Sequence, residues 1–130
     1  MAKAARERAY APYSGFAVGA ALECEDGQVF LGCNVENAVY PVGLCAERAA
    51  LASAVSAGQR RFRRIAIVAD GADVCVPCGM CRQALAEFAL DLEVVMANLS
   101  GREELASLAQ LLPRSFTAWY LPKAPAKGGE

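Results

Sequence analysis

Apolar residues recur along the chain in short runs punctuated by Gly, Pro and Asp, and the spacing inside each run predicts its element. Phe16 to Glu25 (FAVGAALECE) and Gln28 to Val35 (QVFLGCNV) flank Asp26-Gly27, and a DG pair between two such runs predicts a β-hairpin. Arg64 to Ala69 (RIAIVA) and Leu92 to Ala97 (LEVVMA) are near-continuous apolar runs, the mark of strands covered on both faces. Cys45 to Ala57 (CAERAALASAVSA) is alanine-rich and reads as a helix, with Gly58 placed to cap its C-terminus. Gly79 to Ala89 reads as a further helix, and residues 2–9 as a short one closed by the Pro12 turn. Arg102 to Leu112 (REELASLAQLL) has helical composition and is expected to be a helix stopped by Pro113. The alternative there is a brief strand followed by a shorter helix capped at Ser107.

That order of elements fits an α/β fold in three layers, a mixed sheet of about five strands with helices on its faces. The chain has 130 residues, enough for one domain, expected over residues 1–121. Residues 122–130 (PKAPAKGGE) carry nothing for a core and are expected to form a flexible tail. Hydrophobic residues make up 55% of the chain and charged residues 21%, which supports a packed core and excludes disorder. The net charge of −1 argues against a nucleic-acid partner, which calls for a basic face. The arginines at 60, 61, 63 and 64 form a local cluster and are expected in a solvated loop. No apolar stretch approaches the roughly 18 residues that span a bilayer, so no membrane partner is expected. Met1 runs straight into Lys3, Arg6, Glu7 and Arg8, and no signal peptide is expected. A cytoplasmic location follows as an expectation, and six cysteines there suggest thiolates or metal ligands before disulfides.

Four of those cysteines stand where chemistry is possible. Cys78 and Cys81 form a CxxC behind Pro77, and the residues after them continue as helix. Both sulfurs then fall in a helical first turn, three residues apart and on one face. Cys45 opens the preceding helix in the run Cys45-Ala46-Glu47-Arg48. Free amides and the positive dipole end of a helix favour thiolate at both places. Three such ligands leave the fourth tetrahedral position of a zinc ion open, the arrangement of a catalytic centre. The chain contains no histidine, so the only conventional zinc site available to it is dominated by thiolates.

Other readings of the cysteines compete. A CxxC alone also suits a redox dithiol. Cys75-x2-Cys78-x2-Cys81 begins like an iron–sulfur run but lacks the x3-Cys-Pro continuation. Cys45, Cys75, Cys78 and Cys81 together could close a purely structural zinc site. Cys24 and Cys33, in the hairpin, are expected to be small buried hydrophobes.

Glu47 gives the open-site reading its meaning. It lies two positions after Cys45, roughly 200° around the helix, so it need not be a ligand and can lie beside the vacant coordination position. A carboxylate there can pass protons between a zinc-activated water and a substrate. Three thiolates leave a zinc cluster formally at −1. Arg48 can donate to the sulfurs and withdraw part of that charge, and Arg82 admits the same argument.

The residues now in view resemble the cytidine deaminases, specifically the small zinc-dependent enzymes that act on free nucleosides. The matching pieces are Tyr13 to Leu22 (YSGFAVGAAL), Gly32 to Ala38 (GCNVENA), Cys45 to Arg48 (CAER) and Pro77 to Gln83 (PCGMCRQ). A similar closing segment, Leu111-Leu112-Pro113 with Phe116, follows. The resemblance implies one zinc per subunit on Cys45, Cys78 and Cys81, with Glu47 as proton shuttle in the hydrolysis of cytidine or deoxycytidine to uridine or deoxyuridine and ammonia. It also implies Asn34 and Glu36 as a ribose-binding pair, Phe16 beside the pyrimidine, and Ala46 at the base edge through its backbone. Phe116 is implied as part of a neighbouring subunit's pocket in a homotetramer with shared active sites. Deamination of another aminated pyrimidine nucleoside, of the blasticidin type, is the nearest alternative. A silent four-cysteine zinc module is the alternative from outside the enzymes.

Overall fold

The computed structural model describes residues 1–122. Five strands form one sheet in the order β2-β1-β3-β4-β5. The hairpin predicted around Asp26-Gly27 is present as β1 (Val18–Cys24) and β2 (Val29–Cys33), which pair antiparallel. Gly27 takes the left-handed backbone the turn needs, at φ 91°. β3 (Phe62–Ala69) pairs antiparallel with β1 and parallel with β4 (Glu93–Asn98). A parallel pair needs a crossover, and α3 (Gly79–Ala86) supplies it. The remaining helices are α1 (Ala2–Arg6), α2 (Ala46–Ser56) and α4 (Leu108–Leu111).

Alternation along the strands sends successive residues to opposite faces. On one face Ala20 and Leu22 of β1, Ile65 and Ile67 of β3, and Val94 and Met96 of β4 pack with Ala50 and Ala54 of α2 and Leu85 of α3. On the other, Ala21 and Val68 pack with Ala2 of α1. The expected three layers are therefore present, with α1 alone opposing the other helices. Two glycines set how closely the layers approach. A Cβ on Gly19 would lie 2.0 Å from the Ala2 carbonyl oxygen, and one on Gly32 would lie 2.3 Å from that of Ala46. The absence of a side chain at Gly32 lets the first turn of α2 rest directly on β2, and that turn carries the site.

Residues 102–112 correct the expectation of one continuous helix and follow the alternative, a brief strand and a shorter helix capped at Ser107. Glu103–Ser107 is β5, antiparallel to β4 with Val95 opposite Leu105, and only Leu108–Leu111 is helical. The sheet's open edge at β4 outweighs the helical composition of the segment. Ser107 caps the short helix, accepting from the Gln110 amide while Gln110 Oε1 accepts from the Ser107 amide. The arginine cluster is corrected in part, because β3 begins at Phe62. Arg64 sits on it 3.4 Å from both Glu23 and Glu93, and Arg63 donates to the Glu25 carbonyl. Cys24 is buried as expected, whereas Cys33 is only half-buried. The tail expected at 122–130 lies, from Lys123 onward, outside the described residues.

Candidate active site

Two helix starts converge on one point. Cys45 is the N-cap of α2 and Cys78 the N-cap of α3, both in extended backbone, while Cys81 lies in the first turn of α3. Their sulfurs form a cluster with every pair within 4.8 Å. Cys45 Sγ and Cys78 Sγ are 3.8 Å apart, and Cys78 Sγ and Cys81 Sγ 3.3 Å. Zinc–sulfur bonds of about 2.3 Å in tetrahedral geometry place two sulfurs about 3.8 Å apart, so the donor set fits one zinc ion. Cys75 is outside this cluster. Its amide donates to the Ala97 carbonyl and its side chain packs against the core.

The thiols differ in environment. Burial pushes the Cys81 thiol far above its ordinary value, and the nearby Glu47 carboxylate adds to the effect. Burial also opposes ionisation of Cys78, but the Cys81 amide and the neighbouring thiols outweigh it and lower its pKa. A helix end contributes only about 0.3–1 kcal/mol toward an anion. Zinc in small thiolate sites contributes about 10–16 kcal/mol, so a bound metal decides the protonation state and the helix ends only bias it. Arg48 Nη2 lies 3.5 Å from Cys45 Sγ, as the charge argument for Arg48 requires. Arg82 departs from its expected part. Its Nε donates to the Pro77 carbonyl and its Nη1 to the Leu111 carbonyl, tying the CxxC loop to the end of α4.

Glu47 is 4% exposed, in the first turn of α2. Burial raises the pKa of its carboxyl, opposed by its own amide, the Cys81 thiol and Arg48. A carboxyl so placed lies within hydrogen-bonding reach of the Cys81 thiol, and its burial disfavours the charged form.

In front of the cluster lies a cleft of about 510 Å³, lined by Tyr13, Ser14, Asn34 to Asn37, Tyr40 to Leu44 except Val42, Cys45, Arg48 and Met80. Leu44 and Val35 exchange backbone hydrogen bonds, which brings the Asn34–Glu36 segment alongside Cys45. The Asn34 side chain bridges two backbones: Oδ1 accepts from the Val18 amide and Nδ2 donates to the Phe16 carbonyl, at 2.9 and 2.8 Å. Glu36 Oε1 accepts from the amides of Tyr13 and Ser14, and Oε2 from the Ser14 hydroxyl. The Ser14 hydroxyl, then the Ser14 and Tyr13 amides, hold the Glu36 carboxylate below its usual pKa.

Of the expected site residues, the structure brings Asn34, Glu36, Cys45 and Arg48 together on the cleft wall. Ala46 and Glu47 are buried behind that wall, at the start of α2. Phe16 and Phe116 are half exposed and do not line the cleft. Phe116 stacks on Tyr120 with ring centroids 5.5 Å apart, and its carbonyl accepts from Gln83 Nε2. Tyr13, Ser14, Tyr40 and Met80 were given no role by sequence reasoning, although Tyr13 and Ser14 open the quoted YSGF run. Tyr13 and Ser14 act through Glu36, and Tyr40 packs edge-on against Tyr13, all across more than twenty positions of sequence.

What α2 and α3 build is a cluster of three thiols with a buried carboxyl beside it, a donor set that fits the class of single-zinc sites with an open fourth position. The sequence profile of the cytidine and deoxycytidylate deaminase zinc-binding region matches residues 1–97. The chain belongs to this cytidine deaminase family. It is 50% identical over 116 residues to a cytidine deaminase of Sporosarcina psychrophila, an alignment covering 88% of this chain and 85% of the relative. The crystal structure of cytidine deaminase from Burkholderia pseudomallei superposes with a TM-score of 0.87 at 53% identity, covering 88% of this chain and 93% of that one. A blasticidin-S deaminase of Bacillus cereus is more distant, 33% identical over 77% of this chain and 76% of its own length.

Proposed function

We propose that the chain hydrolyses the exocyclic amino group of cytidine and deoxycytidine, giving uridine or deoxyuridine and ammonia, within one domain over residues 1–121. The observation that carries the reading is the convergence of three thiols at two helix starts, with Glu47 buried beside them. Cys45, Cys78 and Cys81 would hold one zinc per subunit, which supplies an activated water when bound. Glu47 moves the protons. Its carboxyl protonates the ring nitrogen next to the amino-bearing carbon and then carries a proton to the departing amino group. Arg48 draws negative charge from the Cys45 sulfur. Asn34 and Glu36, on the cleft wall, would read the ribose; contacts of Phe16 and the Ala46 backbone with the base belong to the proposal through the family resemblance alone, since neither residue lines the cleft.

A homotetramer and a cytoplasmic location belong to the same proposal. The exposed run Phe116, Trp119, Tyr120 and Leu121 supports the tetramer, because so much apolar surface in one segment suits a subunit contact. Among the described residues no helix is long and apolar enough to cross a membrane. Cys75 lies outside the thiol cluster, which counts against a closed four-cysteine zinc.

The test is ammonia release from cytidine by zinc-loaded protein, before and after treatment with a chelator. Release that stops with the chelator and returns with zinc is the expected result. Release from blasticidin S and none from cytidine would replace the nucleoside, and release from neither would overturn the enzyme reading.

A further inference from the structure

The Ser14 hydroxyl stands at a junction that the site as described leaves unexplained. It donates its only proton to Glu36 Oε2, and its oxygen accepts from the Phe16 amide at 3.0 Å. The second bond fixes the direction of the first. With a lone pair committed to the amide, the hydroxyl proton has one good acceptor in reach, the carboxylate. Glu36 Oε1 already takes the amides of Tyr13 and Ser14 at 2.9 and 3.0 Å, so donors from the 13–14 turn hold both carboxylate oxygens. The Phe16 carbonyl is held from the other side by Asn34 Nδ2 at 2.8 Å. Tyr13, Ser14, Asn34 and Glu36 all line the cleft, where a lone surface carboxylate would otherwise sample many rotamers.

We propose that Ser14 is a positioning residue for substrate affinity. Its hydroxyl locks Glu36 in one rotamer, with its remaining lone pairs turned to the cleft to accept a sugar hydroxyl, and holds the Phe16 backbone in register with Asn34. The inference rests on the nucleoside reading above. Glu36 so held is ionised and acceptor-only, so it selects a hydroxyl that donates. A charge-assisted donor is a strong one, and the rigidity it gives acts before substrate arrives. Ser14 therefore acts on binding and leaves the proton transfers at Glu47 untouched.

The experiment is steady-state kinetics of zinc-loaded Ser14→Ala and Ser14→Thr against cytidine and 2′,3′-dideoxycytidine, with zinc content measured on each preparation. Ser14→Ala is expected to raise KM for cytidine about tenfold with kcat within twofold. On 2′,3′-dideoxycytidine, which lacks the hydroxyls Glu36 would read, kcat/KM is expected to change less than twofold. Ser14→Thr, which keeps the donor, is expected to restore the cytidine KM. Should Ser14→Ala fail to fold, Ser14→Cys keeps the volume, weakens the donor and carries the same comparison. An unmoved cytidine KM, an equal loss on both substrates, or no rescue by threonine overturns the proposal while the nucleoside reading stands. Unmodified protein that leaves cytidine intact overturns the nucleoside reading, and this inference with it.

Discussion

The two ends of the site are built by opposite strategies. At the thiol end, Cys45, Cys78 and Cys81 are placed by the starts of α2 and α3, whose Ala50, Ala54 and Leu85 are locked into the core. At the cleft end, no helix or strand interior fixes Asn34, Glu36 or Tyr13. They are held by side-chain-to-backbone hydrogen bonds and by loop backbone bonds such as Tyr10 amide to Asn34 carbonyl and Glu36 amide to Tyr10 carbonyl. Rigidity at the first end comes from packing. At the second it comes from a handful of polar contacts in reach of solvent. The difference matches the work proposed for each end: a metal and a proton shuttle need fixed positions, while a rim must admit and release a substrate.

Changes that break the thiol end should remove the reaction outright. Cys81→Ser replaces a fully buried ligand with one that is poor for zinc. The variant is expected to purify with little zinc by atomic absorption and to have no measurable turnover. At the cleft end, Asn34→Ala should leave zinc content unchanged and raise the apparent KM for cytidine tenfold or more, since two backbone groups lose their partners along with any sugar contact. A loss of zinc in that variant would mean the two ends are not separable.

Smaller effects sharpen the boundary between them. Gly32→Ala forces a methyl into the Ala46 carbonyl, so α2 must lift from β2. A cost of about 1–3 kcal/mol is expected, seen as a melting temperature lower by several degrees, with kcat falling because the Cys45 turn shifts. Cys75→Ser should do least at neutral pH, with zinc and activity retained, because Cys75 is outside the cluster. Burial, then the charge of Glu47, pushes the Cys75 thiol up to about 11. Its folded pKa is raised above the unfolded value near about 8.5. The stability it contributes is thus fully present below that value and is lost as pH rises toward its folded value. Alkaline melts of the parent chain should show this loss, and those of Cys75→Ser should lack that part of it.

The thiol end was the legible one, for a local reason. Helix starts announce themselves through Pro77, Gly79 and the alanine-rich run after Cys45, so ligand spacing could be read without tertiary information. The hairpin at Asp26-Gly27 was legible for the same reason. Residues 103–107 were legible only as an alternative: the capping signal at Ser107 allowed a brief strand before a short helix, but Glu103, Glu104 and Ala106 favour a helix in isolation and pairing with β4 decides for the strand. The Ser14–Glu36 bond and the Arg82 contact with Leu111 join residues 22 and 29 positions apart, and no periodicity encodes them. The cleft end is therefore where the sequence carries the residues but not their arrangement.

The most direct test of the account compares zinc-loaded parent protein with Glu47→Gln, following the ultraviolet absorbance of cytidine and the ammonia released. The glutamine variant should hold the same zinc and lose turnover by about 10²–10⁴-fold, because the carboxyl handles protons and not the metal. Turnover by Glu47→Gln equal to that of the parent, or loss of its zinc, would contradict the role assigned to Glu47 at the centre of the site.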